Sequence, residues 1–209
     1  MDAVANKIEI REVSQRKTTY LFIKRTFDIV LSLVLIVVLL PLLLLVMAAI
    51  AIDSPGPVIF KQKRIGYHGK EFVIFKFRTL SVTAPDNVAT RQLENIDGCS
   101  TKLGRLLRRL SIDELPQLFN ILSGDLSIVG PRPIVEKETT IYGSDVAKLL
   151  SVKPGLTGYW QAYARNNATY ESGERQKMEM YYVDHQSLGL DVKILFRTVK
   201  SVTKEEGAQ

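Results

Sequence analysis

Twenty-four consecutive residues without a charge, Ile29 to Ile52, constrain this chain more than any other feature. Eighteen of them are Leu, Ile or Val. At about −0.3 to −0.6 kcal/mol each, they give roughly −5 to −11 kcal/mol for insertion into a bilayer. As a helix the run is long enough to cross a hydrocarbon core. Pro41 divides it into stretches of 12 and 11 residues. Each stretch is about 17 Å long at a 1.5 Å rise, too short to cross alone. Upstream lie Arg11, Arg16, Lys17, Lys24 and Arg25; downstream lie Lys61, Lys63, Arg64 and Lys70. With both flanks basic, charge gives no orientation to a spanning helix. A re-entrant helix that enters and leaves on one face satisfies both flanks, and a straight anchor with a tolerated kink is the alternative. Ala49-Ile50-Ala51 resembles a signal-peptide cleavage site, but the apolar region is too long and starts too late for one.

The remaining chain has room for one modest core within 209 residues, and its net charge of +6 points to an anionic partner. A single cysteine, Cys99, excludes an internal disulfide framework and fits a reducing compartment. The two histidines, His68 and His185, have no Cys or His at ligand spacing, which argues against a His-based metal site or a Ser-His triad. There is no G-x-x-x-x-G-K-[ST], no G-x-G-x-x-G and no D-x-D. Basic residues are not interleaved with aromatics as in nucleic-acid modules, so no nucleic-acid partner is expected.

The chemistry concentrates in Leu110 to Leu118, where Asp113 and Glu114 stand side by side ahead of a helical pattern, Leu115, Leu118, Phe119 and Leu122. Ser111-x-x-Glu114 has the form of a capping box. Pro116 favours a different frame with Asp113 as N-cap, which puts the proline at N3 where no intrahelical partner is lost. A carboxylate there is kept ionised, and the helix end also suits phosphate; a purely structural cap is the plain alternative. Thr101 to Leu110 predicts a basic helix with Arg105, Arg108 and Arg109 on its polar side. Arg132, between Pro131 and Pro133, is held extended, which suits bidentate binding of phosphate; pairing with a structural carboxylate is the alternative. Glu71–Leu80 predicts a strand with Phe72, Ile74 and Lys76 on one side, 81–100 a loop, 134–150 a polar helix, and 170–184 and 188–203 two further helices.

Five stretches together resemble one family. They are Lys24-Arg25 with Phe27-Asp28 before the apolar helix; Lys76-Phe77-Arg78-Thr79; Arg108 with Asp113-Glu114-Leu115-Pro116-Gln117; Val129 to Pro133; and Lys153 to Gly158. In this order they resemble the monotopic phosphoglycosyl transferases, bacterial sugar transferases that start glycoconjugate assembly on polyprenol phosphate.

The resemblance implies an α+β, mostly helical chain. It would have a polar arm (1–21), a proline-broken re-entrant membrane helix (22–52) and a cytosolic catalytic domain (53–209) with amphipathic interface helices. It implies transfer of sugar-1-phosphate from a nucleotide diphosphate sugar, here a UDP-sugar, to polyprenol (undecaprenyl) phosphate. It also implies ping-pong kinetics through a phosphosugar on Asp113, and Mg²⁺. Glu114 would take a proton from the acceptor or help orient the metal. Arg108, Arg132, Lys76, Arg78 and Arg165 would bind phosphate or substrate, with Asp113 and Asp191 as metal ligands. Anionic lipids and a second copy of the chain are further expected partners, and the cytoplasmic face of the bacterial inner membrane is the expected location. Two departures stand out: Leu40 replaces the family's usual serine before the proline, and Ala164 replaces glycine in Gly-Arg-Asn. A non-catalytic membrane scaffold is the rival reading; it would have no need of Asp113, Glu114, Arg108 and Arg132 together.

Overall fold

The computed structural model describes the backbone of residues 2–80, 100–164, 170 and 172–203, and the side chains of 18–80, 100–164, 170 and 172–201. Helix α1 (Asp2–Asp53) takes in the apolar run and the polar stretch before it. Up to Asp53 there is no glycine and no proline but Pro41, so little in the sequence opposes a helix. The helix continues through Pro41, which corrects the expected break. Proline removes the N–H that would bond Val37, and the helix on either side of it packs against the same domain.

After the turn at Pro55-Gly56-Pro57 come strands β1 (Ile59–Ile65) and β2 (Glu71–Phe77), antiparallel with Ile59 opposite Phe77. Strand β1 escapes sequence reading because its buried side chains are Gln62 and Arg64, which invert the usual pattern. Phe72 and Ile74 of β2 point into the core as expected. Helix α2 (Lys102–Arg109) and helix α3 (Gln117–Ser123) follow, joined through a 3₁₀ turn at Ile112–Glu114. Strand β3 (Ser127–Val129) pairs in parallel with β4 (Gly155–Thr157). The two chains come so close at Gly130 that a Cβ there would lie 2.5 Å from the Lys153 carbonyl oxygen. The helix expected over 134–150 is instead two short ones, α4 (Thr139–Tyr142) and α5 (Val146–Leu149), because Gly143 turns the chain at φ 50°. Helices α6 (Tyr159–Tyr163), α7 (Glu174–His185) and α8 (Leu188–Thr203) complete the fold. The expected loop at 81–99, with Cys99, lies outside the described residues.

One face of α1 is covered by this domain along its length. Lys24, Asp28, Ser32, Leu43, Val46 and Ile50 are buried, and Leu31, Leu35, Leu39 and Leu42 are partly so, at spacings of three or four. The first half meets the main core of Phe72, Ile74, Leu118, Ile121, Leu126 and Tyr182; the second half meets Phe77 and Leu107. On the other face Val30, Leu33, Val34, Val37, Val38, Leu44 and Leu45 are exposed. A bare apolar face of this length needs a non-aqueous partner, so the chain associates with membrane. Among the described residues, Thr18–Asp53 is the one segment long and apolar enough to cross a bilayer.

Polar side chains fasten α1 to the domain. Arg25 donates from Nη1 to the Ile121 carbonyl (2.6 Å) and from Nη2 to the Leu122 carbonyl (2.9 Å). These lie in the last turn of α3, where a cation is favoured. The backbone N–H of Ile128 donates to Asp28 at 2.9 Å. Lys24 Nζ donates to Asp191 of α8 at 2.7 Å.

Candidate active site

The carboxylate pair is placed by what surrounds it. Thr101 caps α2, its Oγ1 accepting from Gly104 N–H at 2.9 Å. Gly104 lies directly on the backbone of Thr79, where a Cβ would come within 2.1 Å of the Thr79 oxygen. One turn on, Arg108 Nε donates to Thr79 Oγ1 at 2.8 Å. Ser111 then takes a left-handed conformation (φ 56°) and starts the 3₁₀ turn holding Asp113 and Glu114. Asp113 is therefore not the N-cap of a helix. Pro116 fills that position before α3, where it needs no N–H. Asp113 stands one turn earlier and is buried, at 9% exposure. Ile112 and Leu115, on either side of the pair, pack against the cluster that Leu43, Val46 and Ile50 of α1 form with Phe77 and Leu107. The carboxylates are thus seated beside the membrane helix.

Asn120 fixes α3 against β2: its Oδ1 accepts from Phe75 N–H (3.0 Å) and its Nδ2 donates to the Val73 carbonyl (2.7 Å). That places Lys76 Nζ 2.6 Å from Glu114 Oε1. The same oxygen is 3.9 Å from Arg132 Nη1.

Arg132 rides on a tightly held loop. Gly155 N–H donates to the Pro131 carbonyl (2.8 Å), and Arg64 Nη1 to the Pro133 carbonyl (3.1 Å). Ile65 N–H donates to the Ile134 carbonyl at 2.8 Å. The Arg132 N–H itself points to the carboxylate of Glu179 on α7, 3.3 Å from each oxygen. Arg64 is buried, lies 3.7 Å from Glu138, and its guanidinium is pushed down to about 10 by burial and by Arg132. Burial also lowers the Arg108 pKa, which the Asp113 carboxylate opposes.

Asp113, Glu114, Lys76, Arg108 and Arg132 therefore come together, three cations around two carboxylates. The remaining sequence-predicted residues do not join them. Arg78 donates to the Ser54 carbonyl (2.6 Å) and Ser54 Oγ (2.9 Å), with the Ile50 carbonyl at 3.5 Å. It closes the C-terminal end of α1. The Asp191 carboxylate takes Lys24, Tyr20 (3.0 Å) and Tyr182 (2.7 Å). Arg165 lies outside the described residues.

No group of three or more acidic, His or Cys side chains that could hold a metal occurs among the described residues. Mg²⁺ nevertheless needs only one or two carboxylates when substrate phosphates and water complete its shell. The Asp113-Glu114 pair fits that requirement, while the Asp191 carboxylate stands apart from it, engaged by Lys24, Tyr20 and Tyr182.

Sequence reading missed Glu179, Arg175 and Asn120. The first two had a signal: Arg175, Glu179, Tyr182 and Val183 fall on one helical face, the buried one.

A membrane helix fused along its length to a small domain, with a cation-ringed carboxylate pair beside it, defines a membrane-associated protein with a charged site at the helix. The chain belongs to the bacterial sugar transferases, whose family model matches residues 19–205. It is 40% identical over 201 residues to the undecaprenyl-phosphate galactose phosphotransferase of Salmonella typhimurium, across 90% of this chain and 42% of that protein. Against the exopolysaccharide production protein ExoY of Rhizobium meliloti the identity is 39%, covering 88% of this chain and 87% of ExoY. It is also 39% identical to the UDP-glucose:undecaprenyl-phosphate glucose-1-phosphate transferase of Escherichia coli, covering 85% of this chain and 39% of that one. The chain thus spans about two fifths of the length of the Salmonella and Escherichia coli relatives.

Proposed function

We propose that this protein transfers sugar-1-phosphate from a UDP-sugar to undecaprenyl phosphate, as an early membrane step in exopolysaccharide or related glycan synthesis. The observation that carries this reading is the meeting of Asp113 and Glu114 with Lys76, Arg108 and Arg132 beside α1. The Escherichia coli relative, named for both a UDP-sugar and undecaprenyl phosphate, supports it, as does the Salmonella relative, named for the lipid and galactose.

In this reading an Asp113 oxygen attacks the sugar-bearing phosphorus of the donor. The bond from that phosphorus to the bridging oxygen breaks, and the nucleoside monophosphate leaves with the electron pair. A phosphate oxygen of the lipid acceptor then attacks the same phosphorus and frees Asp113, leaving a lipid diphosphate sugar. Splitting the transfer in two lets one nucleophile serve both halves. Arg132 and Arg108 offset the charge that would repel a carboxylate from a diphosphate. Lys76 and Arg132 hold Glu114 in place, from which it takes the acceptor's proton. Mg²⁺, held by Asp113 and Glu114, would supply further charge neutralisation at the diphosphate.

The packing of α1 supports a one-sided topology. The same domain grips it at Lys24 and Arg25 and again at Ile50 and Ser54. A helix threading the bilayer would carry those ends to opposite faces, so both termini stay on the cytoplasmic side. Anionic headgroups meet the basic flanks.

The test is to incubate purified protein with undecaprenyl phosphate, Mg²⁺ and a panel of UDP-sugars including UDP-galactose and UDP-glucose. UMP release is expected with one or few donors. Without acceptor, the peptide bearing Asp113 should gain one sugar-phosphate mass. Turnover with intersecting double-reciprocal lines and no adduct would mean direct transfer. Unimpaired turnover by Asp113→Asn would remove the assignment.

A further inference from the structure

The loop from Pro131 to Pro133 has a single backbone N–H, that of Arg132, because proline has none. A buried N–H needs a partner. Here the partner is Glu179, which is 1% exposed and offers both oxygens at 3.3 Å. A carboxylate is a costly way to satisfy one amide, since burying its charge is unfavourable without compensation. The compensation comes from the same helix: Arg175, one turn earlier, is also buried. Its guanidinium lies 4.1 Å from the centre of the Trp160 ring and 3.8 Å from that of Tyr170. Set over two aromatic faces, it is held as a fixed cation, and its Nε and Nη2 make no hydrogen bond among the described residues. The series Trp160/Tyr170, Arg175, Glu179, Arg132 N–H and Arg132 guanidinium ends 3.9 Å from Glu114.

We propose that Glu179 is a positioning residue for the transfer reaction: it fixes the backbone of Arg132 and so aims that guanidinium at the donor's phosphates. The role rests on the reaction proposed above. Glu179 touches no substrate; it acts through Arg132 alone. Its function needs an oxygen at that place, and the negative charge is secondary.

The experiment compares Glu179→Met with Glu179→Gln in the full chain. Both are neutral and near in size, and only Gln keeps an oxygen for the Arg132 N–H. The Met variant should lose at least tenfold in kcat/KM for the donor, with acceptor KM unchanged, while the Gln variant stays within about threefold of wild type. In an Arg132→Ala background, adding Glu179→Met should cost less than twofold more. Hydrogen exchange of a peptide spanning Pro131–Pro133 reads the Arg132 amide without any turnover, and the Met variant should speed it at least tenfold. Glu179→Ala takes the place of Glu179→Met if thermal unfolding shows the latter misfolded. Equal losses for Met and Gln, a full loss persisting in the Arg132→Ala background, or unchanged exchange at Arg132 would each overturn the inference. Wild-type protein without turnover on any donor would instead sink the transfer reading, while the exchange result still decides whether Glu179 holds the loop.

Discussion

Asp191 offers the sharpest test of the fold, because its carboxylate is engaged by the membrane helix. Lys24 and Asp191 side chains are each 9% exposed and 2.7 Å apart, and Tyr20 and Tyr182 supply two more hydrogen bonds to the same carboxylate. Removing one partner of such a buried pair costs about 3–5 kcal/mol, because the other charge is left alone. That is a large part of the roughly 5–15 kcal/mol that holds a domain together. Asp191→Asn keeps an acceptor for a tyrosine but strands the ammonium, and Lys24→Met strands the carboxylate. The double variant removes both charges and should be much less damaged than the sum of the singles, with a coupling of about 2–3 kcal/mol. The assay is denaturant unfolding in detergent, run as a double-mutant cycle. The Mg²⁺ concentration for half-maximal activity should not move in Asp191→Asn. Additivity within about 0.5 kcal/mol would refute the latch, and a large rise in the Mg²⁺ requirement would restore Asp191 as a metal ligand.

Arg132→Lys keeps the charge and loses the planar fork, so kcat/KM should fall by about 1–3 kcal/mol in transition-state stabilisation; activity within twofold of wild type would make Arg132 structural. A cysteine at Ala5 in a Cys99→Ala background should stay unlabelled by an impermeant maleimide in intact cells, and labelling from outside would contradict a one-sided α1. Burial pushes the Glu179 carboxyl from 4.5 up to about 7, against the pull of Arg175 and Arg132 and with Glu138 and Tyr142 nearby. The native state then holds a proton that the unfolded chain has lost between these values, so stability falls as pH rises through that window. Glu179→Gln stays neutral, and its gain over wild type should grow between pH 5 and 7 and level off above, at about 3 kcal/mol or less; a pH-independent difference in unfolding free energy would count against it.

Local pattern carried the sequence reading where one side of an element was apolar and the other was not. Helix α8 runs from Leu188 to Thr203 as expected, and α2 is nearly as close, but the stripe that marked α8 is not its covered side: Leu188 and Val199 are exposed, and Asp191 and Ile194 are buried. The apolar run of α1 gave no hint of its covered side, because nearly every position is Leu, Ile or Val and no period can show. Charged residues were the harder case. Lys76, Arg132 and Arg108 meet the carboxylate pair, whereas Arg78 closes a helix end and Asp191 binds Lys24 across 167 positions of chain. A charge names the kind of partner it needs and says nothing of how far along the chain that partner lies. The left-handed turn at Ser111, which moves Asp113 off the helix end, has no signature in residue type either.

The covered stripe on α1 bears on how the protein is made. The helix leaves the ribosome before the domain that covers it, and Ile194, the last buried residue of the core on which its first half packs, follows 140 positions after Ser54. At about 5–20 residues per second that is roughly 7 to 28 seconds of translation. For that time α1 waits without its own domain. Its polar contacts, Lys24, Arg25 and Asp28, lie just ahead of the apolar run, and the covered positions from Leu35 to Ile50 are apolar throughout. A waiting helix can therefore keep its charged end among lipid headgroups while the rest rests in hydrocarbon. Insertion can thus come before folding, with the domain assembling on a helix already in the bilayer.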